Sequence, residues 1–237
     1  MKMNSKMIWF TLMTSFVIGM NACSSNSSNT PAASLSMKVD FAAAKISAAD
    51  TVALTSAKVL MKRIKFENDA EEDSSELKLG PFIVTLNLAG GLTEIATGDI
   101  PNGLYDKVKF EIHKMEDGDA VSDTSFLIGT EGCSFVIKGT FNDTAFTYKS
   151  KKGVEIEMNV NPPIVISDSL KDANLTLVVN PSNWFKKNGV FLDPRNEQNR
   201  SDIDDNIKDS FKKAYKDNDH DGVENDDNDD AEDESGH

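Results

Sequence analysis

Apolar and polar residues alternate along several short stretches of this chain, and a period of two commits those stretches to strands. The pattern is clear in Leu35, Met37, Val39 and Phe41; in Phe82, Val84, Leu86 and Leu88; in Val108, Phe110 and Ile112; in Val154, Ile156, Met158 and Val160; and in Leu175, Leu177 and Val179. Turn signals separate them at Gly80-Pro81, Gly90-Gly91, Pro101-Asn102-Gly103, Gly118, Gly153 and Asn161-Pro162-Pro163. Phe135 to Phe141 and Thr144 to Tyr148 flank Asn142-Asp143, a pair suited to a tight hairpin. The acidic stretch Asn68 to Glu76 reads as an exposed loop. Many short strands with no amphipathic helix between them point to an all-β fold, an antiparallel β-sandwich over residues 35–194.

The period changes near the C-terminus, where residues 195–216 read as a helix. Ser201 and Asp204 have capping-box spacing, Asp202, Asp204 and Asp205 suit the positive end, and Lys212, Lys213 and Lys216 suit the other. Ile203, Ile207, Phe211 and Ala214 or Tyr215 would form its apolar stripe. Directly after comes Asp217-Asn218-Asp219-His220-Asp221-Gly222-Val223-Glu224-Asn225. Carboxylates at loop positions 1, 3 and 5, a Gly at 6 and a backbone carbonyl at 7 suit calcium. The segment resembles an EF-hand or thrombospondin-type acidic calcium loop. Its candidate ligands are Asp217, Asp219, Asp221, Val223, Asn225 and Asn228, with Asn228 where a bidentate Glu normally completes the cage. Weak calcium binding, on the order of 10⁻⁴ to 10⁻³ M, is the expectation. The alternative is that 217–237 is only a solvated, largely disordered acidic tail.

At the other end, Lys2 and Lys6 precede the apolar run Met7 to Met20, and Met20-Asn21-Ala22 lead into Cys23. A basic segment, a short apolar run and small residues before a cut define a secretory signal, and the run is too short to span a bilayer. The segment resembles a bacterial lipoprotein signal (residues 1–22), which implies cleavage before Cys23 and acylation of that thiol. Ser24 to Ala33 is polar, small and aperiodic, so residues 23–34 read as a flexible tether. The resemblance implies a lipid-anchored outer-membrane protein. Lipoproteins of the kind this segment resembles often carry acidic residues just after the Cys when exported to the cell surface; none follows Cys23, so the resemblance implies the periplasmic face over the cell surface.

A second resemblance lies in Ile100-Pro-Asn-Gly-Leu-Tyr-Asp-Lys-Val-Lys-Phe-Glu-Ile112. Pro, Gly and Tyr leading into an alternating strand are similar to β-sandwich domains of Bacteroidota envelope lipoproteins. In those domains the Gly-x-Tyr piece closes a turn and the Tyr packs over the sandwich edge. Gly80-Pro81-Phe82 and Val179-Asn180-Pro181-Ser182-Asn183-Trp184-Phe185 fit the same picture.

The formal charge of −14 argues against nucleic-acid partners, since phosphate binding needs clustered cations. Much of that charge sits in residues 217–237, which hold eleven acids and no Lys or Arg. Once Cys23 is lipidated, Cys133 has no partner for a disulfide, and it reads as a small buried residue at a turn. No nucleophile elbow, zinc helix, phosphate loop or dinucleotide fingerprint occurs. Glu111 and His113 share one face of a strand opposite its apolar side, which predicts solvent exposure for both. Glu155 and Glu157 read as solubilising edge charge. Trp184, Phe185, Tyr105 and Tyr148 read as packing aromatics rather than a sugar platform, with Lys186 to Gly189 as a single helical turn. Three Asp-Thr or Asp-Ser triplets, at Thr51, Thr144 and Ser169, resemble O-glycan acceptor motifs of exported proteins. The expectation is a non-enzymatic binding, adhesive or structural protein of the cell envelope, with calcium as its ion. Its partners would be the membrane, through the anchor, and an envelope protein or glycan. The alternative function is a glycan-acting envelope hydrolase or a ligand-transfer protein.

Overall fold

The computed structural model describes residues 32–40, 51–68, 74–167 and 172–224. The strands, in chain order, are β1 (Ala32–Val39), β2 (Val52–Glu67), β3 (Ser74–Thr85), β4 (Leu92–Asp99) and β5 (Gly103–Ile112). Two short strands follow, β6 (Leu127–Ile128) and β7 (Glu131–Gly132). Then come β8 (Phe135–Phe141), β9 (Thr144–Ser150), β10 (Val154–Ile166) and β11 (Asp172–Val179). Last among the described elements come the short pair β12 (Lys186–Lys187) and β13 (Val190–Phe191), the helix α1 (Arg200–Lys208), and β14 (Phe211–Lys216).

Two sheets form the all-β sandwich that the alternation predicts. One has the order β14-β11-β1-β4; the other runs β10-β5-β2-β8-β9, with β3 also paired to β2. Strand β2 is long enough to pair with β8 along Val52 to Val59 and with β5 along Met61 to Glu67. Pairing is antiparallel except between β1 and β11, which run side by side in parallel from Ala32↔Asp172 to Val39↔Val179. Alternation sets which face is buried but carries no strand direction, so the parallel pair departs from the antiparallel expectation.

The inner faces meet in one core. Leu35, Met37, Val39, Leu175, Leu177 and Val179 from the smaller sheet pack with Ile64, Phe66, Val108, Phe110, Ile112 and Ile137 from the larger. Both edges of the smaller sheet lie beside the larger one, β4 next to β3 and β14 next to β10. The β8–β9 hairpin closes on Asn142 and Asp143, both left-handed at φ 49° and 61°, which is the geometry the two-residue turn requires. Tyr105 is buried, donates its hydroxyl to the Pro101 carbonyl at 3.0 Å, and meets Phe66 edge to face at 6.0 Å.

The C-terminal helix is shorter than residues 195–216. It spans Arg200 to Lys208, preceded by a 3₁₀ turn at Glu197–Asn199 that Asn196 caps through Gln198 N–H. Ser201 lies inside the first helical turn and caps nothing. Ile203 and Ile207 are buried, as the stripe requires, but Phe211, Ala214 and Tyr215 belong to β14. The helix closes one end of the sandwich, where Tyr148 donates to Asp204 at 2.6 Å and Asn206 donates to the Trp184 and Lys186 carbonyls. Lys186 to Gly189 is a small hairpin rather than a helical turn, with Asn188 and Gly189 at φ 52° and 80°. Ala32, Ala33 and Ser34, three residues ahead of the expected domain boundary, belong to strand β1.

Each sheet also has an outer face with a cover. Over the larger sheet the connection from β5 to β8 lays down Phe126 and Cys133 on Leu60 and Val136, all at most 2% exposed. Met115, Val121, Ile128 and Ile83 pack around them. Over the smaller sheet the cover is the acidic segment that follows β14.

Candidate metal centre

In β1 and β11 the residues pointing away from the core include the polar Ser34, Ser36, Asn174 and Thr176, residue types that normally face water. Here Asn174 and Thr176 are fully buried and Ser36 is 3% exposed, because residues 217–224 fold back over them. Asn174 is the hub. Its side-chain oxygen accepts from Ser34 at 2.9 Å and Ser36 at 3.4 Å, and its amide donates to the Asp217 carbonyl at 2.8 Å. The Asp217 N–H returns a bond to the Asn174 carbonyl at 3.0 Å.

Asp217 is the anchor of the loop and has no solvent exposure. A buried carboxylate is tolerable only when hydrogen bonds replace its water. Its Oδ2 accepts the Thr176 hydroxyl at 2.5 Å, and its two oxygens accept N–H groups of Asp221 and Gly222 at 3.1 to 3.2 Å. The chain can bring these amides round because His220 and Gly222 are left-handed, at φ 59° and 79°. Gly222 is required twice over, since a Cβ there would also press within 3.2 Å of the Leu92 side chain on β4. Its carbonyl accepts from Lys38 Nζ at 2.7 Å and from the Tyr215 hydroxyl at 2.5 Å. Lys213 pairs with Glu224. Burial, then the carboxylates of Asp217, Asp221 and Glu224, push the Tyr215 phenol up to about 12, so it stays a donor at physiological pH.

The result is a group of three carboxylates, Asp217, Asp219 and Asp221, whose ligand oxygens lie within 4.8 Å of one another and can hold a metal ion. Asp217 is buried while Asp219 and Asp221 are exposed, so the oxygens open towards solvent. An all-oxygen donor set suits a hard cation. Val223 is exposed, and its N–H donates to Asp221 Oδ1 at 2.6 Å. Asn225 and Asn228 lie outside the described residues. The solvated-tail alternative fails for 217–224, which are an integral cover of the smaller sheet.

The other sequence candidates fall elsewhere. Thr51 and Thr144 are both exposed and share one hairpin end, tied through Asn142, whose side chain accepts the Thr51 N–H at 2.9 Å. Ser169 and Cys23 lie outside the described residues. Cys133 is fully buried, and burial pushes its thiol up to about 11. Glu111 is not a free surface acid. It pairs with Arg63 at 2.7 Å and Lys62 at 3.3 Å, and although partial burial opposes them, these cations hold its carboxyl below the usual range. His113 is half-buried rather than exposed, because the β5–β8 connection covers it; its Nε2 stands 3.7 Å from Asp119, and neither ring nitrogen has a hydrogen-bond partner. Glu157 bridges Lys107 and Lys109. Trp184, Phe185, Tyr105 and Tyr148 are all buried, so they pack rather than form a platform.

Sequence reading missed Lys38, Asn174, Thr176 and Tyr215. The one available signal was Asn174 and Thr176 interrupting the apolar run of β11, where a solvent face and a buried polar seat look alike. No family model, curated protein or solved structure matches the chain.

Proposed function

We propose that this chain is a lipid-anchored cell-envelope protein with a non-catalytic binding, adhesive or structural role, whose C-terminal cover is set by calcium. The observation that carries the calcium part is the buried Asp217, which fixes one carboxylate on the sandwich and presents Asp219 and Asp221 beside it. Rigid attachment of the first ligand lowers the ordering cost of binding. Two of the expected oxygen donors, on Asn225 and Asn228, would complete the set from the chain that follows. The non-catalytic reading draws support from the committed acids: Glu111 and Glu157 are each held by two cations. The anchor reading rests on Cys23 and the apolar run before it.

Isothermal titration of the intact chain with calcium tests the reading. Binding with a dissociation constant of about 10⁻⁴ to 10⁻³ M is expected, and its loss in the D219N/D221N variant. A folded wild-type chain that takes up no calcium at millimolar concentration contradicts it.

A further inference from the structure

The strands place the start of β1 at one end of the sandwich. Ala32 is flanked there by Asp99, the last residue of β4, and Asp172, the first of β11. Strand β5 begins at this end too, and Leu104 follows Asp99 by only five residues, a reach of about 18 Å at most. Opposite Leu104 in the β5–β10 ladder stands Val165.

These two are 45% and 46% exposed, and large apolar side chains so open to water are few among the described residues. The other two are Val190 and Val223, on other parts of the surface. Leu104 and Val165 differ from them in being cross-strand neighbours, with the exposed Pro101 just before β5 and the exposed Pro162 in the irregular stretch of β10 between Asn159 and Ile164. A cross-strand pair on a solvent face ordinarily carries polar residues, as Lys107 and Lys109 do farther along β5. Two adjacent apolar residues there leave a small greasy spot open to water, apart from the covered apolar patch of Leu60 and Val136 on the same sheet.

The tether supplies the occupant. Ala32 stands nine positions after Cys23, so an acyl chain on Cys23 holds the Ala32 end within about 30 Å of the bilayer. The opposite end, where Val179 pairs with Val39 and leads on towards Val190, is about 25 Å farther along the strands. We propose that the Leu104–Val165 patch rests on the surface of the lipid bilayer to which Cys23 is anchored, so that the anchor fixes the orientation of the sandwich as well as its location. This inference rests on the lipid-anchor reading. The exposed Asp99 nearby directs the contact to neutral headgroups and acyl-chain boundaries rather than to anionic lipid.

The test uses the full acylated protein in phosphatidylcholine vesicles containing a nitroxide-labelled lipid. Single variants Leu104→Cys, Val165→Cys and Val190→Cys carry an environment-sensitive fluorophore; the fully buried Cys133 does not compete for it. Labels at 104 and 165 are expected to brighten severalfold, shift to the blue and be quenched by the nitroxide, while the label at 190 stays in water. Hydrogen exchange on unlabelled acylated protein provides a second readout: vesicle-dependent protection is expected at Leu104 and Val165. Labels at 104 and 165 no more quenched than that at 190, with no change in exchange, overturn the proposal on a protein whose anchor is intact. An intact mass showing no lipid on Cys23 overturns the anchor reading and the orientation with it.

Discussion

The two outer faces of the sandwich are closed by opposite means. The larger sheet is covered by an apolar patch in which Phe126 and Cys133 seat on Leu60 and Val136. The smaller sheet is covered by an acidic turn in which Asp217 seats on Thr176 and Asn174, and Gly222 is held by Lys38 and Tyr215. Apolar contact is non-directional and indifferent to ions, whereas a turn of carboxylates carries mutual repulsion that a cation relieves. One cover is therefore built of contacts indifferent to ions, and the other presents carboxylates that can hold one.

Removing the centre of each cover gives the largest separation. Phe126→Ala deletes a side chain with no exposure and is expected to destabilise the chain by about 4 kcal/mol in urea unfolding, with or without calcium. Asp217→Ala strands the Thr176 hydroxyl and the Gly222 N–H, an expected loss of about 3 kcal/mol, and it abolishes any response to calcium. If Phe126→Ala also altered that response, the covers would be coupled and the comparison would break.

Calcium itself should act on one side alone. With a dissociation constant in the range above, 10 mM calcium adds roughly 1.4 to 2.7 kcal/mol to unfolding free energy. The D219N/D221N variant gains nothing, and Phe126→Ala gains as much as the wild type. A smaller effect, about 1 kcal/mol, is expected from Lys38→Met, which removes one donor from the Gly222 carbonyl. Its signature is a proportionate weakening of calcium affinity, measured by titration.

The apolar cover has its own, weaker electrostatic tie. Lys58 bonds to Asp123 at 2.8 Å, and that contact, followed by the Ser125 bonds, lowers the Asp123 carboxyl to about 2. A folded-state value below the unfolded one near 3.9 gives stability that is fully present above about pH 4 and lost as pH falls through about 2. Lys58→Met should therefore be less stable than wild type above pH 4 and converge with it near pH 2, in urea titrations across that range. Calcium should not change the difference.

The apolar half of this architecture was readable from residues. Asn142-Asp143 between two alternating runs gives the β8–β9 hairpin, and Val108, Phe110 and Ile112 give β5. Strand β14 was not readable, because near its C-terminal end the outer face is covered as well as the inner one. Ala214 points to the core and Tyr215 lies under the acidic turn, so both are buried and the period of two disappears. A register shift between Val178 and Val179 opposite Phe211 disrupts it further, and the remaining spacing of Phe211, Ala214 and Tyr215 imitates a helix. For the metal centre, Asp217, Asp219 and Asp221 were legible as ligand types at the right interval. Their seat on Asn174 and Thr176, more than forty residues away in sequence, depends on a strand pairing that local pattern does not encode. Parallel pairing of β1 with β11 was invisible for the same reason.

The central claim is that a hard cation is held by the acidic turn and acts on the smaller sheet alone. The most direct test is a calcium titration of the intact chain followed by amide resonances. The account predicts that the Asp221, Gly222 and Thr176 amides shift along one binding curve with a midpoint of about 10⁻⁴ to 10⁻³ M, while Met115 and Cys133 stay still. A Gly222 amide that does not move, or shifts spread equally over both covers, would contradict it.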